Sequence, residues 1–105
     1  MMLPMDLIAR NKRLFNQVDK KLACLLEIIG QIVREPSSLP SCQAKAKNEM
    51  KEVLERAQEI GGKLFKDVQA LNRDFLQFLK KPDHGTMSSK MIEDALRIKH
   101  EMREL

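Results

Sequence analysis

The side chains able to do nucleophilic, acid–base or metal chemistry are two cysteines, Cys24 and Cys42, two histidines, His84 and His100, and 15 carboxylates. A nucleophile needs a base within hydrogen-bond reach and a third group to orient that base. His84 stands beside Gly85 in a turn-rich stretch, and His100 falls on the polar side of a helical pattern. No Ser, Asp or Cys is spaced to pair with either. The cysteines belong to no CxxC or Cys/His motif of the kind that holds zinc, so no metal or cofactor is expected. Asp83-His84 is adjacent ligand chemistry without further ligands, and reads as solvated loop. Gly61-Gly62 lacks the Lys-Ser/Thr frame and the preceding strand of a phosphate loop. The carboxylates alternate with lysines along helix faces, as solubilising pairs do. The residues describe a protein that is not an enzyme.

Basic residues raise a second kind of chemistry. Nineteen Lys and Arg against 15 Asp and Glu give a formal charge of +4. They cluster as Arg10/Lys12/Arg13, Lys20/Lys21, Lys45/Lys47/Lys51 and Lys80/Lys81. Phosphate contact needs several cations on one face. Those of the first helical pattern spread over more than half its circumference and are interrupted by Asp19. No aromatic residue lies outside the apolar stripes to stack on bases, and no zinc-finger, homeodomain or RNA-recognition signature appears. Nucleic-acid binding is therefore the alternative reading, not the favoured one. The first pattern is amphipathic enough to lie on anionic lipid, but it lacks interfacial Trp and has the 3–4 period of a helix–helix seam. The longest apolar stretch, Leu22 to Val33, is interrupted by Glu27, Gly30 and Gln31 and falls short of the ~20 residues that span a bilayer. Cys24, inside an apolar run, reads as a small core residue, and Cys42 as a turn residue. No pattern supports a disulfide between them. An intracellular location, cytoplasmic or nuclear, is expected.

The elements that would carry these residues are helical. The chain has 4 Gly, 4 Pro, 4 Phe and no Trp or Tyr, whereas β-sandwiches and barrels draw on β-branched and aromatic residues and frequent turns. Pro36 to Ser41 and Pro82 to Thr86 read as loops. The expected helices are 5–34, 42–81 and 88–105, forming a single module over 1–105. In the first, Phe15, Val18, Leu22, Leu25, Ile29 and Ile32 make the stripe, with polar Asn11 on its line. In the second, Ala46, Met50, Val53, Ala57, Ile60, Leu64, Val68, Leu71, Phe75 and Phe78 stay in phase through Gly61-Gly62. That phase favours one long helix, bent at the glycines, over two shorter ones. In the third, Met91, Ala95, Ile98, Met102 and Leu105 form the stripe, Thr86, Ser88 and Ser89 are candidate N-caps, and Glu93, Arg97 and Glu101 make an i, i+4 ladder. The apolar last residue, Leu105, suggests a helix that continues and a chain that is a fragment.

The fold expected is all-α: an elongated antiparallel three-helix bundle, or a helical hairpin, with coiled-coil-like packing. Phe15, Leu22, Leu25, Ile29, Ile32, Ile60, Leu64, Val68, Leu71, Phe75 and Phe78 are its core. A 40-residue second helix would be ~60 Å long. Its first half would then meet only one neighbour, and part of its stripe would need cover from another chain. The partner-facing candidates are Met50, Val53, Leu54, Ala57, Met91, Ile98, Met102 and Leu105. The function expected is a helical protein–protein interaction module, the subunit or adaptor of an assembly, pairing with another helical chain or with itself.

Overall fold

Apolar residues at three- and four-residue steps make helices whose stripes must find cover, and the prolines and glycines decide where each helix turns back. The computed structural model describes the backbone of residues 4–35, 39–80 and 85–104, and side chains within 11–35, 40–80 and 88–103. These residues form four α-helices and no strand: α1 at Pro4–Arg34, α2 at Leu39–Ile60, α3 at Gly62–Lys80 and α4 at Gly85–Glu104. Pro40 lies in the first turn of α2, where its missing N–H is no loss. Because α4 begins at Gly85, Thr86, Ser88 and Ser89 lie within the helix rather than at its cap. His84 and Leu105 lie outside the described residues.

The expected single long helix is two helices. Gly61 and Gly62 have φ of +80° and +62°, the left-handed region through which a right-handed helix cannot run. Gly61 N–H still donates to Ala57 C=O at 2.8 Å, closing α2. Phe65 N–H then donates to Gly61 C=O at 3.4 Å as α3 begins. Beyond the glycines α3 folds back along α2, and Met50 and Leu54 share a groove with Phe65 and Phe75. An in-phase stripe records which face is buried. It does not record whether the axis continues, and that is why periodicity misjudged this element.

Polar pairs between helices fix the register. Arg56 Nε donates to Gln17 Oε1 at 2.9 Å, and Lys21 pairs with Glu52 and, at 3.7 Å, with Glu49. Across α3 and α4, Lys63 meets Glu101 at 3.0 Å and Lys90 meets Asp74 at 3.4 Å. Lys99 of α4 reaches Asp19 of α1 at 3.7 Å. In the α1/α2 and α3/α4 sets the partner's number falls as the residue number rises, so those helices are antiparallel. Each helix packs on the next, and α4 returns to pack on α1. The described chain measures 51 × 22 × 17 Å, its long dimension matching the ~46 Å of a 31-residue helix.

One core runs through all four helices. Val18, Leu22, Leu25, Ile29 and Ile32 come from α1, Cys42, Ala46, Met50, Val53 and Ala57 from α2. Leu64, Val68, Leu71, Phe75 and Phe78 come from α3, and Met91, Ala95 and Ile98 from α4. Phe15 and Ile60, expected inside, are only half-buried against it. The cysteines exchange the places expected of them: Cys42 is buried and Cys24 exposed. Cys42 heads the α2 stripe four residues before Ala46, whereas Cys24 falls between the stripe positions of α1. Asn11 is exposed, so it serves no core register.

Candidate functional site: two grooves and an acidic seam

Most of the expected partner-facing stripe is the chain's own interior. Met50, Val53, Ala57, Met91 and Ile98 are fully buried, which corrects their assignment to an exposed face. The hairpin at Gly61-Gly62 is the physical reason. It lays α3 over α2, so α2 meets two neighbours rather than one. Leu54 and Met102 differ: both are half-buried at the edge of the core, and each lines a surface groove. Leu105 lies outside the described residues.

The first groove runs between α2 and α3 and holds about 550 Å³. Met50, Leu54, Phe65, Phe75 and Leu76 give it an apolar floor, and Lys47, Lys51, Glu55, Gln58, Gln69 and Asn72 form its rim. Leu76 is 47% exposed. The second groove, about 350 Å³, lies between α1 and α4. Phe15 and Met102 form its apolar part, with Lys12, Asn16, Asp19, Lys99 and Arg103 around them. Periodicity missed Phe65, Leu76, Ile92 and Leu96 because each stands beside a stripe position rather than on one. An apolar residue off the stripe was the signal available.

Between α3 and α4 lies a feature the composition hid among its many carboxylates. Asp74 and Asp94 are 8% and 4% exposed. Asp67 and Asp74 are two helical turns apart on α3, and Asp94 and Glu101 are two turns apart on α4. Antiparallel packing brings them together as two acid–acid pairs, Asp74 with Asp94 and Asp67 with Glu101. Burial, then the hydrogen bond to Asp74 and the charge of Asp74, raise the Asp94 carboxyl to about 6. Asp67 is raised by its hydrogen bond to Glu101 and by burial. Glu101 is lowered by accepting that hydrogen bond and by Lys63. Asp94 Oδ2 and Asp67 Oδ2 are buried oxygens without a hydrogen-bond donor, and a proton held within a pair is the form that burial and the facing carboxylate favour as pH falls. Arg97 turns to Asp94 at 3.3 Å and Glu101 to Lys63. The expected Glu93–Arg97–Glu101 ladder is thus replaced by bonds into this seam.

On the opposite side Lys21 is raised by its hydrogen bond with Glu52, and Glu52 is lowered by the same bond. Among the described residues no group of three or more His, Cys, Asp or Glu could hold a metal ion, and no helix is long and apolar enough to cross a membrane. The comparisons with known proteins find no matching family model, no matching curated protein and no matching solved structure.

Proposed function

We propose that this chain is a non-enzymatic helical interaction module, a subunit or adaptor that docks another helical chain on its surface grooves with coiled-coil-like packing. The carrying observation is the set of large apolar side chains left in water beside a filled core: Leu76 on α3, and Ile92 and Leu96 on α4. Leu76 lines the α2/α3 groove. Ile92 and Leu96 stand one turn apart on one face of α4, and contiguous apolar surface of this kind marks interaction sites. Two cysteines not joined in a disulfide fit a reducing intracellular compartment, cytoplasmic or nuclear. Of the Lys/Arg clusters behind the nucleic-acid alternative, one member, Lys21, is engaged by Glu49 and Glu52 of the chain itself.

A photo-crosslinking residue at Leu76, and separately at Leu96, tests the reading in cell lysate. One or a few proteins crosslinked at either position, and lost when the neighbouring apolar residue becomes Glu, support it. No protein captured at either position removes it.

A further inference from the structure

We propose that the α1/α4 seam is the docking groove for an amphipathic helix that carries acidic residues at one end of its apolar face. This deepens the interaction reading and rests on it. The groove is lined by three cations, Lys12, Lys99 and Arg103, against one carboxylate, Asp19, which already pairs with Lys99. Its apolar part is Phe15 and Met102. On α4, Ile92, Leu96, Lys99 and Arg103 follow steps of four, three and four, so they form a single stripe along one face of the helix. Two members of that stripe are the most water-exposed large apolar residues of α4 among the described residues, Ile92 at 45% and Leu96 at 58%. On α1, Lys12, Asn16, Asp19, Ala23 and Leu26 follow the same spacing. The Asp19–Lys99 pair sets the antiparallel register, which carries the seam on from the cationic end toward Leu26 beside the Ile92 level.

The surface is therefore polarised along its length, apolar at the Ile92/Leu96 end and cationic around apolar residues at the Lys12/Arg103 end. From Ile92 to Arg103 is about 16 Å, three turns of helix. Apolar anchors spaced by three and four residues fit the apolar end, as in helix-in-groove recognition. Carboxylates of the docked helix meet Lys12 and Arg103, beside the Lys99–Asp19 pair, and these cations steer its approach and fix its direction. The α2/α3 groove has two cations, Lys47 and Lys51, against Glu55, with Gln58, Gln69 and Asn72 making up the rest of its rim, so its cationic excess is smaller and more diluted by amides.

The test is selection of a displayed library of randomised helices about 16 residues long on the full chain, followed by fluorescence anisotropy of the winners. Enriched helices are expected to have glutamates or aspartates at one end of an apolar stripe. Amide shifts on binding are expected along α1 and α4. Arg103→Glu, at an exposed position, is expected to weaken binding about tenfold, and a peptide with lysines in place of the acidic residues to recover it. Leu96→Glu is expected to abolish binding while leaving the thermal melt unchanged. The proposal is overturned by four outcomes: no enrichment, winners without acidic bias, affinity indifferent to both variants, or shifts confined to α2 and α3. Tighter binding of single-stranded RNA than of any selected helix at the seam also overturns it. Crosslinks at Leu76 without any at Leu96 would retain the interaction reading and reject this seam.

Discussion

At the residue scale, burial and charge separate the side chains that hold the chain together from those that face outward. Met91 and Ile98 were read from the sequence as partner contacts, but both are sealed in the core. Their truncation should therefore act on the isolated chain. Met91→Ala and Ile98→Ala are each expected to cost about 2–5 kcal/mol in urea unfolding of the purified protein. A change under ~0.5 kcal/mol would mean that these side chains face a partner after all. Asp94 yields a prediction of opposite sign. Its carboxyl ordinarily titrates at 3.8 and in the fold at about 6. Between these values the folded chain holds a proton that the unfolded chain has lost, so this group's contribution to stability falls as pH rises through that window and is flat above it. Glu101 and Glu52, both lowered, contribute stability that is lost as pH falls below their ordinary 4.5. Asp94→Asn keeps a hydrogen-bonding group at the seam and removes the buried charge. It is expected to raise Tm at pH 7.5 by roughly 4 °C or more, about 1 kcal/mol, with a smaller change at pH 5. Equal shifts at the two pH values, or a loss at pH 7.5, would show that Asp94 sits ionised and well paired.

At the element scale the decisive residues are Gly61 and Gly62. A Cβ at either position meets no atom within 4 Å, so substitution is opposed by backbone conformation and not by crowding. A left-handed conformation costs an L-residue about 1–2 kcal/mol. Gly61→Ala with Gly62→Ala also restores helix propensity by about 1 kcal/mol per position, so the double variant favours a continuous helix over residues 39–80. That helix would be ~63 Å long and would hold α3 and α4 away from α1 and α2. The apolar faces then find cover most readily in a second copy. The double variant is expected to elute as a domain-swapped dimer with a larger radius of gyration by small-angle scattering, while each single variant stays monomeric. A compact monomeric double variant would show that α2/α3 packing, rather than the glycines, makes the reversal. This junction also marks how far the sequence could be read. Helix faces were legible because Val18, Leu22 and Leu25, or Leu64, Val68 and Leu71, repeat at the spacing that burial requires. The reversal was not legible, because a stripe keeps its phase across a hairpin as it does along a straight helix. Two adjacent glycines carried the missing information, and their weight depended on φ, which periodicity does not encode. The α3/α4 acid pairs were hidden for a related reason. Asp67/Asp74 and Asp94/Glu101 look like surface carboxylates until the antiparallel register places them opposite one another.

At the scale of the whole molecule the question is whether the chain completes itself. Read as three helices, its stripes outrun the available neighbours, and another chain must cover the remainder. Folded as four, every stripe position from Val18 to Ile32 on α1 and from Cys42 to Ala57 on α2 lies in one core with α3 and α4. Among the described residues, the large apolar side chains that stay exposed are beside the stripes, at Val33, Leu76, Ile92 and Leu96. The two views predict different dependence on concentration. A core completed by a second copy unfolds at a temperature that rises with protein concentration, because association adds to stability by mass action. A core closed within the chain unfolds at a fixed temperature, in one cooperative step, because no helix has an apolar face of its own to retain. The absence of Trp and Tyr leaves helical circular dichroism and methyl NMR as probes. The expected result is a single transition, coincident by both probes and unchanged over a hundredfold range of concentration. A docked partner should then raise that transition without being needed for it, since the grooves lie on the surface of a core that the chain closes by itself. A transition that climbs with concentration, or helicity that persists after the methyl signals collapse, would instead place part of the core between chains. It would also return Met50, Val53 and Ala57 to the interface that their spacing first suggested.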